Sequence, residues 1–372
     1  MMLDVKFEYV NVPSCKDFKT AFKNALSKVK TVEKLLKISV FAASESVESY
    51  LENVSFTKEE IKERFGLHAV EVSYVAQNTL HAELAIELVY ANDTSTVLYK
   101  TLGGVSYVIV RAENKKMLLI SGLIGDDKQS INEQSNAVFK TIEGIFSLEN
   151  MAISSIVRQW NYIPDITKME NNFQHYQQFN DARSLFYEKT SWGKGYPAAT
   201  GIGTKNAPLL IDVIAMEGHK EELPLHNSKQ IDAHIYSDDV LLGIKEQSLK
   251  KRSTPKFERA KLIIENSGAS VFVSGTAAIM GEESLALDNA GNQTDITIDH
   301  IENLVAKGLS KTYRFRLIPE FESVRAYVKN LSDYTVVRQV CEKRLPGVPV
   351  VYVEADICRD ELLVEIEAFV KI

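Results

Sequence analysis

The stretch Cys358-Arg359-Asp360-Glu361-Leu362-Leu363-Val364-Glu365-Ile366-Glu367-Ala368-Phe369-Val370 decides the fold. Its period of two predicts a strand. Leu362, Val364, Ile366 and Ala368 fall on one face, and Leu363, Glu365, Glu367 and Phe369 on the other. Two carboxylates therefore share the face opposite an apolar one. Such a pair reads either as a solvated edge, the commoner place for charged residues, or as a buried carboxyl of raised pKa that can deliver a proton.

The strand has an earlier twin. Leu209-Leu210-Ile211-Asp212-Val213-Ile214-Ala215 aligns without gaps on Leu362-Leu363-Val364-Glu365-Ile366-Glu367-Ala368. Upstream, Leu119-Ile120-Ser121-Gly122 matches Phe272-Val273-Ser274-Gly275, and Val157-Arg158 matches Val324-Arg325. Gln134-Ser135, Phe139, Ile142-Glu143 and Ile145 match Gln293-Thr294, Ile298, Ile301-Glu302 and Leu304 at the same spacing. One unit is thus repeated, at 105–220 and 255–372, a pseudo-dimeric core and not a solenoid. Residues 221–254 connect the copies, and 1–104 form an N-terminal α/β region of unclear role. The repeated acid is Asp212 in one copy and Glu365 in the other, which predicts that one copy alone does chemistry.

At 372 residues the chain can bury more than one core. With 45% hydrophobic and 25% charged residues, it has the composition of a soluble globular protein. A net charge of −7 disfavours nucleic acid as a partner; the densest basic run, Lys250-Lys251-Arg252, reads as a solvated loop. Met1 to Lys6 lacks the apolar core of a secretory signal, and no apolar run reaches membrane-spanning length. Three cysteines without close spacing suit a reducing cytoplasm and argue against disulfides or a zinc knuckle.

Along the chain, strands are expected at Phe7–Val10, Val70–Val75, Leu84–Val89, Tyr107–Val110, Met117–Ser121, Val157–Ile163, Ser270–Ser274, Val324–Val328, Val348–Val353 and Leu362–Val370. Helices are expected at Asp17–Val29, Asn132–Leu148, Phe173–Tyr187, Asp295–Lys307 and Tyr334–Arg344. Thr57-Lys58-Glu59-Glu60 reads as a helix start with Thr57 as N-cap. Asn289-Ala290-Gly291-Asn292 reads as a turn, and so does Pro197-Ala198-Ala199-Thr200-Gly201-Ile202-Gly203. The layout is α+β, each unit a mixed sheet with helices on one face. His219, Pro224, His226 and His234 in the connecting segment could line a cleft.

Several chemistries are excluded. The seven histidines form no His-x-x-x-His or His-Glu-x-x-His pair, so no metal is expected. No Gly-x-Ser-x-Gly elbow occurs, and Gly201 and Gly203 lack the third glycine of a dinucleotide fingerprint.

The stretches at 271–277, 293–304 and 364–368 resemble the RidA/YjgF family, whose chorismate-mutase-like fold packs three units around clefts at their interfaces. A closer resemblance covers roughly 105–372. Residues 157–163, 197–203, 255–260 (Pro-Lys-Phe-Glu-Arg-Ala), 274–277 and 355–367 are similar, in the same order, to the chorismatases. That resemblance implies release of pyruvate from chorismate, or a related enolpyruvyl compound, to give a hydroxybenzoate or a dihydroxycyclohexadiene carboxylate, with no cofactor. Glu365 matches the family's catalytic glutamate. The dianionic substrate calls for arginines, and Arg259 and Arg359 lie in matching stretches, with Arg183 in the helix before Pro197. Tyr236, Ser274, Gly275, Ala277 and Cys358 complete the implied substrate site; Cys358 also suits a buried core position.

The chain departs from the family at Asp232-Ala233-His234-Ile235-Tyr236-Ser237, at Leu249-Lys250-Lys251-Arg252-Ser253 and at Gly281-Glu282-Glu283-Ser284, all near the implied cleft. Two alternatives follow. One is a RidA-like imine or enamine deaminase, which needs an arginine where this chain reads Val348-Pro349-Val350-Val351. The other is a non-catalytic small-molecule-binding protein of the same fold. The partner expected is a small carboxylated molecule in the cytoplasm, without nucleic acid or membrane; self-association stays open.

Overall fold

The computed structural model describes residues 5–13, 15–30, 32–66, 70–92, 94–237, 253–266, 268–312 and 318–372. The basic run at 250–252 therefore lies outside the described residues, as does the 249–252 part of the family departure.

The first sheet is built from β1 (Val5–Val12), α1 (Phe18–Ser27), β2 (Leu35–Ala42), α2 (Val47–Phe65), β3 (Glu71–Ala76) and β4 (Leu84–Ala91), with strand order β1-β4-β2-β3. The second contains β5 (Thr96–Leu102), β6 (Val105–Ala112), β7 (Lys115–Ile124), α3 (Ile131–Leu148) and β8 (Ile156–Pro164). A short hairpin, β9 (Met169–Glu170) and β10 (Phe173–Gln174), then leads into α4 (His175–Tyr187), β11 (Ala198–Thr204) and β12 (Leu210–Glu217), and the order is β11-β8-β12-β7-β6-β5. The third takes β13 (Glu221–Leu225), β14 (Ala260–Ile264), β15 (Ala269–Ala277), a small hairpin of β16 (Ile279–Met280) and β17 (Glu283–Ser284), and α5 (Ala290–Lys311). It ends with β18 (Glu320–Val328), α6 (Tyr334–Arg344), β19 (Val350–Glu354) and β20 (Val364–Lys371), in the order β13-β14-β15-β20-β18-β19.

Both six-stranded sheets have the same order, read from opposite ends, and each has one parallel pair, β8 with β11 and β18 with β19. The first sheet has that order too, minus an opening hairpin, with β2 and β3 as its parallel pair. The topology is therefore threefold, where the sequence shows two copies. Sheet membership also begins earlier than expected: β5 precedes residue 105, and β13 precedes residue 255.

Period-two alternation explains the packing. Val364, Ile366, Ala368 and Val370 of β20 join a core with Ile298, Ile301, Leu304 and Val305 of α5. Matching helix-side cores lie under α3 and α4 and under α1 and α2. The opposite faces of all three large sheets meet in a central core that includes Phe41, Val89, Leu119, Trp160, Phe272, Tyr327 and Phe369. Each fully buried aliphatic or aromatic side chain is worth about 1.5–3 kcal/mol over its exposed state.

Three local readings are corrected. Thr57 lies inside α2, its hydroxyl bonded back to the Asn53 carbonyl at 2.7 Å, and the N-cap is Ser46. Asn289 caps α5 by accepting the Asn292 N–H at 2.8 Å, so 290–292 are its first turn. Residues 198–203 are strand β11 and not a turn. Among the described residues no helix is long and apolar enough to cross a membrane.

Candidate active site

Strand β20 lies inside the third sheet, between β15 and β18. That removes the solvated-edge reading: Glu365 is 5% exposed and Glu367 4%. The two acids have different neighbours. Glu367 accepts hydrogen bonds from Arg158 Nη2 at 2.7 Å, Trp160 Nε1 at 2.7 Å and Arg325 Nη1 at 3.0 Å, and from the Thr200 hydroxyl. Burial pushes Glu367 up, but Arg158 and Arg325, with those hydrogen bonds, outweigh it and hold the carboxyl below its ordinary value. Glu365 has no cation in that position. Burial first, and then the charge of Glu367, push its pKa up to about 8, against weaker pulls from Arg158 and Arg259.

Glu365 lines a cleft between the second and third sheets, with about 80 Å³ of free space. Gly275 passes so close that a Cβ there would stand 1.9 Å from Glu365 Oε1. The Gly275 N–H donates to Thr200 Oγ1 at 3.0 Å, and this ties the glycine to the hydroxyl that also serves Glu367. Tyr176, Gln177, Asn180, Gly201, Phe257 and Leu362 add walls that the sequence reading did not single out. Tyr176 and Asn180 share a face of α4 with Arg183, the signal by which they could have been found.

The expected residues divide. Arg259, Tyr236, Arg359, Gly275, Ala277 and Cys358 all line the cleft. Arg259 is buried, donates to the Ile231 carbonyl and to Tyr236 Oη at 2.6 Å, and keeps a buried Nε without a hydrogen-bond partner. Arg359 donates to the Glu282 carbonyl at 2.6 Å, and the Tyr236 ring lies 5.5 Å from each of the two guanidiniums. Burial pushes the Cys358 thiol up to about 12, so it stays protonated in the neutral range. Two residues are corrected. Ser274 is fully buried behind the cleft, donating to the Glu258 carbonyl at 2.6 Å and accepting the Ala199 N–H at 2.9 Å. Arg183 is behind it as well, donating to Oδ1 of the cleft-lining Asn180 at 2.6 Å. His219, Pro224, His226 and His234 do not line this cleft.

The repeated position in the second sheet is closed. Asp212 accepts from Lys37 Nζ at 2.6 Å, from the Ser73 hydroxyl at 2.7 Å and from the Gly122 N–H at 2.7 Å. A roomier cavity of about 460 Å³ opens beside it, lined by Glu71, Gly122 and Val138. Size alone does not locate the chemistry: that cavity lacks an arginine, whereas the Glu365 cleft sets a raised carboxyl beside two.

The family described as chorismatase FkbO/Hyg5-like, N-terminal, matches residues 98–215. A chorismatase of Streptomyces rapamycinicus is 30% identical over 240 residues, 61% of this chain and 67% of that protein. The chain belongs to the chorismatase family. A 3-hydroxybenzoate synthase of Streptomyces hygroscopicus is 30% identical over 241 residues, 60% of this chain and 65% of that protein. The match thus spans just under two thirds of that relative. A solved chorismatase structure superposes with a TM-score of 0.74 at 19% identity, covering 99% of this chain and 98% of that one, and so shares the fold. In the stretches read above as departures from the family, Tyr236 lies in the cleft wall, and Glu282 accepts the Ser237 N–H beside it at 2.8 Å.

Proposed function

We propose that this chain is an enzyme that releases pyruvate from chorismate or a related enolpyruvyl ether, with Glu365 as general acid. The observation that carries the reading is the buried Glu365 carboxyl, raised to about 8 and facing a cleft with Arg259 and Arg359. Protonation of the enol ether's methylene carbon requires an acid still protonated near neutral pH. The proton passes from Glu365 to that carbon, leaving an oxocarbenium centre at the ether carbon. Water adds there and returns a proton to the Glu365 carboxylate, the ether C–O bond of the resulting hemiketal breaks as the ring oxygen takes up a proton, and pyruvate departs. The product is a dihydroxycyclohexadiene carboxylate, or, where that ring then loses water, a hydroxybenzoate. The unpartnered Arg259 Nε–H supplies a donor for a substrate carboxylate. The names of the relatives, chorismatase and 3-hydroxybenzoate synthase, support the same substrate class.

The test is pyruvate release from chorismate by the purified chain and by Glu365→Gln, with folding followed by circular dichroism. Gln keeps the shape but has no acidic proton, so the rate falls by roughly 10²–10⁴-fold or more. A wild-type chain that yields no pyruvate, or a Glu365→Gln variant as fast as wild type, refutes the assignment.

A further inference from the structure

Outside the cleft, residues 226–232, which precede Tyr236, fold back on the residue before Arg259. His226 Nδ1 lies 2.7 Å from Asp232 Oδ2 and 4.0 Å from Glu258 Oε2, and a ligand atom from each of the three residues lies within 4.8 Å of the others. Glu258 is 3% exposed. Its Oε1 accepts the Tyr196 N–H at 2.9 Å, whereas its Oε2, on the side of His226, has no hydrogen-bond partner. Asp232 Oδ1 also lacks one.

A protonated imidazole does not resolve this arrangement. Its Nδ1–H serves one acceptor, Asp232, and leaves the buried, charged Glu258 oxygen unmet, which is unfavourable away from water. A single divalent ion serves all three. Ligand atoms about 2.0–2.2 Å from such an ion need to move by only tenths of an ångström to about an ångström from these positions. One imidazole nitrogen with two carboxylate oxygens suits zinc and neighbouring first-row ions better than calcium or magnesium, which prefer all-oxygen shells.

We infer that His226, Asp232 and Glu258 form a binding site for a divalent transition-metal ion, with zinc as the representative. The site is structural. It pins both ends of the 226–232 loop to the residue before Arg259, and the loop's Ile231 carbonyl accepts a hydrogen bond from Arg259. No histidine-spacing motif reveals it, because Glu258 is brought in from beyond the connecting segment. The inference is independent of the proposed reaction.

The test uses the full chain, free of any affinity tag, dialysed against a chelator and titrated with Zn²⁺ by calorimetry, with thermal unfolding in parallel. One ion per chain and a rise in Tm with Zn²⁺ are expected. His226→Ala and Asp232→Asn, both at partly exposed residues and checked by circular dichroism, are expected to weaken binding at least tenfold and remove the Tm rise. His219→Ala, at a histidine paired with Glu222, is expected to bind as the parent does. Absence of saturable binding overturns the site. So does undiminished binding by His226→Ala, since the ion then sits elsewhere.

Discussion

Glu365 and Glu367 are two residues apart on one face of β20, and their surroundings drive their carboxyls in opposite directions. The consequence for pH has a definite sign. In the unfolded chain Glu365 loses its proton near the ordinary glutamate value of about 4.3, whereas the fold keeps it to about 8. Between those values unfolding releases a proton, so this group's contribution to stability falls as pH rises through the window and levels off above about 8. Glu367, held low, contributes stability that is present above the ordinary value and lost as pH falls through its depressed one. Glu365→Gln removes the first effect. At 1.36 kcal/mol per unit, the variant should exceed the parent by about 3–5 kcal/mol above pH 8 and by little near pH 4.5, as measured by urea unfolding across pH. The rate of pyruvate release should fall as pH rises through about 8, because the acid must carry its proton.

At the scale of elements, the cleft depends on how closely β15 approaches β20. In Gly275→Ala the new Cβ would stand 1.9 Å from Glu365 Oε1 and 3.1 Å from Thr200 Cγ2, so the carboxyl must move. A shift of about 1 Å is enough to cost on the order of 10²-fold in rate, and pyruvate release should drop by at least that much with the fold retained. The same closeness explains what could be read in the sequence. Strand β20 was legible because its alternation is complete and its helix-side residues are all apolar. Strand β11 was not, because glycine suggests a turn. Here Gly201 and Gly203 are strand residues whose Cβ positions would lie 3.0 Å from the Tyr176 ring and 2.7 Å from the Asp356 carbonyl, so each serves close contact. Helix α2 was misread at its start because its cap is a Ser46–Ser49 pair, without the acidic partner that marks a capping box. In the candidate site, Arg259 and Tyr236 were legible only by resemblance. Arg183 misled because a cleft-facing helix also carries residues one layer back.

At the scale of the molecule, the first sheet is the copy that the sequence hides, since it lacks the hairpin that opens the other two and repeats little of their motifs beyond Leu84 and Glu87 of β4, which stand where the β20 stretch has Leu362 and Glu365. Its place in the structure is fixed by charge as well as by apolar packing. Each interface between large sheets holds a buried ion pair: Lys37 with Asp212 between the first and second, Arg158 with Glu367 between the second and third, and Glu87 with Arg325 between the first and third. The Asp212 pair is 1% and 4% exposed, so removing one partner strands the other away from water. Asp212→Asn should therefore cost about 3–5 kcal/mol, whereas breaking the exposed Arg338–Glu342 pair should cost at most about 0.5 kcal/mol. Pyruvate release per folded molecule should not change in Asp212→Asn, because the Asp212 oxygens are taken by Lys37, Ser73 and Gly122 and face no arginine-lined cleft. Adding Lys37→Met should recover most of the lost stability, since it removes the stranded cation and leaves an apolar side chain beside Trp160. Denaturant unfolding of the parent, both single variants and the double variant measures the coupling directly. Additive losses in the double variant would show that the pair is not what joins the first sheet to the second.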